Sequence, residues 1–254
     1  MAVCMHTRPT IRYAYIDPDG CSPTELEAAY MARDVYDYAS GKGAHLIGNW
    51  KRESIKKLSH YIDVGCTIQL TSSYSVHIKK TIELGGYYGI YSRELSGKKE
   101  YAFVSRGSAS LSDWCENVQQ PFGESTDMML SIKEANKFVE SHPNSEITFI
   151  GHSKGGAEAA ANAVATNLNA ILFNPATVNL SAYGLSASDY NASMNVFIVN
   201  GEILNGIFGP FSSPIDKLTF LPHPPAISNS KIGVAVDWHS MDSVIFSLQM
   251  VGYE

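Results

Sequence analysis

Residues 146–164, EITFIGHSKGGAEAAANAV, constrain the fold more than any other part of the chain. Ile147, Phe149 and Ile150 make a short β-prone run, while Ala157, Ala159 to Ala161, Ala163 and Ala165 belong to a segment rich in the best helix former, so the stretch predicts a strand, a sharp turn and a helix. Gly151 and Gly155 stand two residues either side of Ser153, where a Cβ would clash in a turn tight enough to lift the serine oxygen clear of a sheet. Three fixed residues recur by chance in many chains. A strand before and a helix after are what separate a nucleophile elbow from an ordinary turn, and both are present.

The rest of the chain supplies the elements such an elbow needs. Ser22-Pro23-Thr24-Glu25 reads as a capping box with Pro at the first helical position, starting a helix over 23–39 that Gly41 and Gly43 stop. KRESIKK, residues 51–57, reads as the solvated face of a second helix. Residues 81–91 and 100–105 read as two strands joined through Ser96-Gly97-Lys98-Lys99. Residues 125–141 place Met129, Ile132, Ala135, Phe138 and Val139 on one helical face just before the elbow strand, which makes a crossover. Residues 170–173 and 196–199 are apolar runs too short for helices and read as further parallel strands. At 254 residues the expectation is a single domain over 1–254, a mostly parallel sheet flanked by helices, with 1–80 an N-terminal helical segment and 81–254 the core.

Charge and cysteine usage exclude several classes of partner. The formal net charge is −6 and no long Lys/Arg run occurs, which argues against nucleic acid. Charged residues are 17% of the chain, below the roughly 25% usual for soluble proteins, a bias toward greasy ligands. The start shows no secretory apolar segment and no run reaches membrane-spanning length. Cys4, Cys21, Cys66 and Cys115 lack C-x-x-C spacing and paired His, so no zinc site, other metal or redox pair is expected. Scattered thiols fit a cytoplasmic chain, or one exported without a recognisable signal peptide.

A serine hydroxyl needs a histidine within hydrogen-bond reach and an acid that fixes its tautomer. In a sheet with this elbow the chain order is Ser, acid, His. Only His223 and His239 follow Ser153. His223 sits in Leu-Pro-His-Pro-Pro, an extended loop, whereas His239 opens His-Ser-Met-Asp before the apolar Val244-Ile245-Phe246 of a terminal helix, and is the better candidate. For the acid, Glu202 follows the strand 195–200 almost at once, where it would project over the C-terminal edge of the sheet. Asp216 is the alternative; Asp189 lies deeper in a loop and Asp237 is close to His239 in sequence. The oxyanion donors would be the backbone N–H of Lys154 and Ser108, at the Gly-Ser turn that ends the strand from Tyr101.

At this point a family resemblance becomes specific. FVSRGSASLSDWCENV, residues 103–118, resembles the F-R-G-T/S segment with a following Trp in class 3 lipases, and GHSKGG, residues 151–156, is similar to their G-H-S-x-G-G, the Lys being closer to a bacterial lipase-like branch. The resemblance covers about 85–250 in the family's order. It implies an α/β-hydrolase with Ser153, Glu202 and His239 as triad, Ser108 and Lys154 at the oxyanion hole, Arg106 as a structural residue, and no cofactor. The implied activity is carboxylic ester hydrolysis through an acyl-serine, on a lipid ester. Phospholipase A, thioesterase, acyltransferase or non-catalytic binding on the same scaffold are the alternatives, and transient contact with a lipid surface goes with the lipid reading. Two departures stand out: the acid is Glu where the family uses Asp, and a Ser precedes the Arg. The segment 205–231, rich in Gly, Pro and large apolar residues including Phe208 and Phe211, reads as a long loop bordering an acyl pocket, with 111–124 as a second part of its cover.

Overall fold

Thr24 and Glu27 start the first helix. In a computed structural model, which describes residues 22–39, 41–42, 45–71, 74–84, 86–107, 125–204 and 217–253, α1 spans Glu25–Ala39. The Glu27 N–H donates to Thr24 Oγ1 at 3.2 Å and the Thr24 N–H to Glu27 Oε2 at 2.9 Å. The capping box is therefore Thr24-x-x-Glu27, two residues later than Ser22 and Glu25 suggest. Tertiary contacts decide this: Glu27 also accepts from Trp50 Nε1 at 3.1 Å and Arg93 Nη1 at 2.9 Å.

The expected second helix at 51–57 is a strand, β1 (Lys51–Lys57), antiparallel to β4 (Tyr87–Leu95) at the edge of the main sheet. A lysine-rich seven-residue run suits an edge strand as well as a helix face, because charge there deters pairing with another chain. Arg52 fixes the strand from within by donating to both oxygens of Asp34 in α1, at 3.1 and 3.0 Å. The described residues between 22 and 80 are thus not the helical segment expected of 1–80. They hold α1, β1, β2 (His60–Thr71) and most of β3 (Tyr74–Leu84), and β2 and β3 form a two-stranded sheet of their own. The hairpin into β5 (Lys98–Ser105) is present, but its first strand starts at Tyr87 and runs to Leu95. Ser96 and Gly97, with φ of 52° and 79°, make the tight two-residue turn, matching the twist of antiparallel strands.

The chain then alternates helix and strand: α2 (Thr126–Ser141), β6 (Glu146–His152), α3 (Lys154–Thr166), β7 (Asn169–Phe173), β8 (Met194–Val199) and β9 (Lys217–Leu221). The main sheet has seven strands in the order β1-β4-β5-β6-β7-β8-β9, parallel from β5 onward. Alternation along each strand feeds two cores. Ala102, Val104, Ile150, Phe173 and Phe197 pack with α1 and with α5 (Met241–Met250) on one face. Phe103, Phe149, Leu172 and Val196 pack with α2 and α3 on the other. On α2 the buried methionine is Met128; Met129, expected on the inner face, is 46% exposed.

β9 corrects the reading of 205–231 as one long loop, since five residues in its middle pair in register with β8 from Asn195↔Lys217 to Val199↔Leu221. Five residues with two of them exposed, Leu218 and Phe220, leave too short a period-2 signal to separate from a loop. Phe208 and Phe211, and the whole 111–124 segment, lie outside the described residues. A short helix, α4 (Lys231–His239), leads into α5 through Ser240, whose Oγ accepts the Ser243 N–H at 3.2 Å.

Candidate active site

β6 ends at His152 and the chain reverses at Ser153, whose φ of 59° and ψ of −129° lie outside the regions open to an ordinary L-residue. Such a conformation costs on the order of 1–3 kcal/mol and persists only where its surroundings over-determine it. Here the Ser153 N–H donates to the Phe173 carbonyl at 3.2 Å and the Ser153 carbonyl accepts from Ala176 N at 2.9 Å, clamping the turn to β7 and the segment after it. Gly155 is required by packing: a Cβ there would stand 2.2 Å from the Ser105 carbonyl, so only glycine lets α3 lie against the end of β5. The Lys154 backbone, the expected oxyanion donor, opens α3 directly after the serine.

Glu202 emerges just past β8 and is 1% exposed. Its Oε2 stands 2.6 Å from His239 Nδ1 and also accepts the Leu204 N–H at 2.9 Å. With Nδ1–H donating to the carboxylate, His239 carries its lone pair on Nε2, and this buried nitrogen has no hydrogen-bond partner among the described residues. His239 is the last residue of α4, and two side chains hold its carbonyl. His152 Nε2 donates to it at 2.7 Å and Asn174 Nδ2 at 3.1 Å, while the Asn174 Oδ1 accepts the Val199 N–H at 2.8 Å. The His152 and His239 rings are 4.7 Å apart, which sets His239 beside the residue preceding Ser153.

A third tie comes from the N-terminal helix. The Tyr36 hydroxyl of α1 donates to His152 Nδ1 at 3.0 Å, and that same oxygen is bonded by the backbone of Gly107, in the turn after β5. Burial, then the adjacent His239, hold the His152 ring far below the ordinary imidazole range, at about 3, so it stays neutral with one nitrogen donating and the other accepting. Burial also pushes the Tyr36 hydroxyl well above the usual phenol range. Gly107, His152 and His239 are thereby linked through one tyrosine of the N-terminal helix, 116 residues before His152.

Ser153, Lys154, Glu202 and His239 thus gather at the C-terminal edge of the parallel strands. Ser108 and Asp216 lie outside the described residues. Arg106 is at the expected turn, its N–H donating to the Tyr87 carbonyl at 2.9 Å and its guanidinium 4.3 Å from the Tyr87 ring centroid, a structural placement. His223 stacks on Trp238 with ring centroids 4.0 Å apart, Asp189 is exposed, and Asp237 accepts from Ser228 N at 2.8 Å. Tyr36, His152 and Asn174 escaped the sequence reading. Asn174 carried a signal, a polar residue ending a buried parallel strand, and His152 adjoins the serine; Tyr36 carried none.

One buried acid has a different character. Glu158, on α3 one turn beyond Lys154, is fully buried with no hydrogen bond to either oxygen among the described residues. Lys154 Nζ pairs with Asp127 Oδ2 at 2.5 Å and stands farther, 3.7 Å, from Glu158 Oε1. Burial outweighs that cation and pushes the Glu158 carboxyl up to about 8. The folded chain therefore keeps a proton that the unfolded chain releases near 4.5. The stability this contributes is complete below that value and is lost as the pH rises toward 8. Each unit of difference is worth about 1.4 kcal/mol, so Glu158→Gln is expected to be more stable than the parent at pH 9 by on the order of a few kcal/mol, with the gap closing toward pH 4.5. Urea unfolding across pH checks it; parallel curves for the two proteins would refute it.

Residues 27–209 match a phospholipase-like family described as the Tle-like phospholipase domain. An extracellular phospholipase A1 of Serratia liquefaciens is 29% identical over 151 residues, 59% of this chain and 41% of that enzyme, so the match spans less than half of the relative's length. Among solved structures, the native Rhizomucor miehei lipase propeptide complex aligns with a TM-score of 0.51 at 12% identity, covering 86% of this chain and 77% of that one. A triacylglycerol lipase from Penicillium expansum aligns with a TM-score of 0.42 at 14% identity, covering 77% of each chain. The Rhizomucor likeness concerns the fold alone, an α/β-hydrolase with a mostly parallel sheet flanked by helices.

Proposed function

We propose, for a chain that belongs to the family of Tle-like phospholipase domains, that the lipid ester it hydrolyses is an acyl ester of a glycerophospholipid, and that Ser153, His239 and Glu202 carry the reaction. The observation that supports the residue assignment is the buried His239–Glu202 pair at 2.6 Å, with Nε2 left as an acceptor next to the elbow. Ser153 Oγ attacks the ester carbonyl as His239 Nε2 takes its proton, and Glu202 holds the tautomer and stabilises the imidazolium. The oxyanion of the tetrahedral intermediate accepts from the Lys154 N–H and from Ser108. Collapse breaks the acyl–oxygen bond, His239 returns the proton to the departing lysophospholipid oxygen, and water repeats the sequence on the acyl-serine to release a fatty acid.

The phospholipid reading is favoured over a triacylglycerol one by the family match and the Serratia phospholipase A1. That relative's extracellular site of action also favours work outside the producing cell over the cytoplasm the scattered thiols suggested. Incubation with phosphatidylglycerol or phosphatidylethanolamine vesicles is expected to release equimolar fatty acid and lysophospholipid, read by mass spectrometry, at a higher kcat/KM than release from a triacylglycerol emulsion. Turnover of the emulsion alone would sink the phospholipid assignment and leave a lipase.

A further inference from the structure

Several elements meet beside the elbow at a single hydroxyl. β5 and β6 pair in parallel as far as Ser105↔Gly151, and the same register, continued, sets Gly107 abreast of Ser153. The approach is close: a Cβ on Gly107 would stand 2.3 Å from the Tyr36 hydroxyl, 2.7 Å from the His152 carbonyl and 3.1 Å from Ser153 Cβ. Glycine at 107 therefore lets the turn after β5 lie directly on the peptide that joins His152 to Ser153. Tyr36 reaches this point from α1, whose Met31, Ala32 and Val35 are buried in the core against which Tyr36 itself packs.

The protons of this cluster have one consistent arrangement. The backbone of Gly107 bonds the Tyr36 oxygen in the sense that favours a phenolate, which is that of a donating N–H. Tyr36 then has its one proton to give, and it goes to His152 Nδ1 at 3.0 Å. His152 is held neutral by its burial and by the adjacent His239, so its own proton sits on Nε2 and is donated to the His239 carbonyl at 2.7 Å. Asn174 Nδ2 gives that carbonyl its second bond at 3.1 Å, which occupies both lone pairs. Gly107 N–H to Tyr36, Tyr36 to His152 and His152 to the His239 carbonyl is thus a relay that runs one way. At its first end the Gly107 N–H is engaged and cannot serve an oxyanion, so a donor from this turn has to lie further along the chain. At its last end the tyrosine fixes the tautomer: a His152 ring with its proton on Nδ1 would turn a lone pair on the lone pairs of the His239 carbonyl.

We propose that Tyr36 is a positioning residue for the reaction, and that its hydroxyl, through His152, keeps the turn leading to Ser108 and the backbone of the base His239 in register on either side of Ser153. Tyr36 touches none of the reacting atoms. Its effect is geometric: the relay ties one flank of the nucleophile to the other, and a buried network of this kind is rigid only while every member is satisfied. Misplacement of reacting groups by about 1 Å costs on the order of a hundredfold in rate, so one oxygen atom on α1 is enough to matter. The role assigned to Tyr36 rests on the reading of Ser153, His239 and Glu202 given above.

The experiment uses a monomeric short-chain ester, so that lipid binding plays no part. Tyr36→Phe keeps the ring and removes one oxygen; it is expected to lower kcat by about 30- to 100-fold, with KM within about twofold and the melting temperature within a few degrees of the parent. Tyr38→Phe, on the exposed side of the same helix, is expected to leave kcat within about twofold. His152→Leu is expected to fall at least as far as Tyr36→Phe. His152→Gln offers an amide acceptor and donor in place of the two ring nitrogens, and is expected to recover about tenfold of the leucine variant's loss when Tyr36 is present and none of it in Tyr36→Phe. The double variant Tyr36→Phe with His152→Leu is expected to be no slower than His152→Leu alone, since both cut one relay. Nitrogen NMR of Ser153→Ala is expected to place the His152 proton on Nε2, and in Tyr36→Phe with Ser153→Ala to find it shared between the two nitrogens. A kcat for Tyr36→Phe within about threefold of the parent overturns the proposal, as do losses that multiply in the double variant or a His152 proton found on Nδ1. So does a fall in kcat matched by a fall in the folded fraction, which makes the tyrosine a support of the fold alone. The triad reading fails separately: turnover retained by Ser153→Ala retires it and the relay with it, whereas an inactive Ser153→Ala beside a fully active Tyr36→Phe retires the relay only.

Discussion

Ser153→Ala is expected to remove ester hydrolysis by a factor of at least about 10⁴ and to abolish covalent labelling by a fluorophosphonate probe, with the fold intact. The fold survives because the strain at Ser153 is held by its backbone, through Phe173 and Ala176, and not by its hydroxyl. The same geometry makes a counter-intuitive corollary. Since φ of 59° and ψ of −129° suit glycine better than any side chain, Ser153→Gly is expected to be inactive yet more stable, by about 1 kcal/mol or more in urea. Residual turnover near the parent's in the Ala variant would place the nucleophile elsewhere. A loss of stability in the Gly variant would mean that the conformation is not strained.

Glu202→Gln is expected to lower kcat by about 10³–10⁴, with KM little changed, whereas Asp216→Asn stays within a fewfold of the parent. The carboxylate sits 2.6 Å from His239 Nδ1 in a site from which water is excluded, so an amide there forfeits the charge that stabilises the imidazolium and can turn its NH₂ toward the ring. The wrong tautomer then places the proton on Nε2, where a base is needed. Glutamate serves in place of aspartate because the chain passes through Gly201, with φ of 80°, before the acid, and the Leu204 N–H fixes the longer side chain by its Oε2. Steady-state kinetics on a monomeric ester checks the ranking, and the reverse order would move the acid to Asp216.

The elbow, its flanking strand and helix, and the pairing of Glu202 with His239 were legible because each is dictated locally. A turn that tight admits glycine at two fixed places, and an acid one turn past a parallel strand has few other places to point. β1 was illegible because KRESIKK has no apolar stripe: its strand identity comes from pairing with β4 and from Asp34, both distant in sequence. The capping box slipped by two residues for a similar reason, Glu27 being chosen by Trp50 and Arg93. β9 hid in a Pro- and Gly-rich stretch, being five residues long with an exposed Leu218 and Phe220. Of the site's supports, Asn174 looked only like the end of a strand, and Tyr36 gave no hint, since nothing in the pattern of a helix says which residue will reach across the sheet.

The tie from Tyr36 to His152 and on to the carbonyl of His239 also bears on when activity first arises during synthesis. His152 and His239 are 87 residues apart, which at about 5–20 residues per second takes roughly 4–17 s to translate. Until then the carbonyl that orients the base does not exist. The closing contact is longer still in range, Arg33 Nη1 of α1 meeting Asp242 Oδ1 of α5 at 3.1 Å across 209 residues, and contacts so far apart along a chain form late because the loop between their ends must first be closed. On the proposed assignment of the base, a nascent chain with its serine already in the elbow is therefore inert, and ester hydrolysis begins only after α5 has docked on α1.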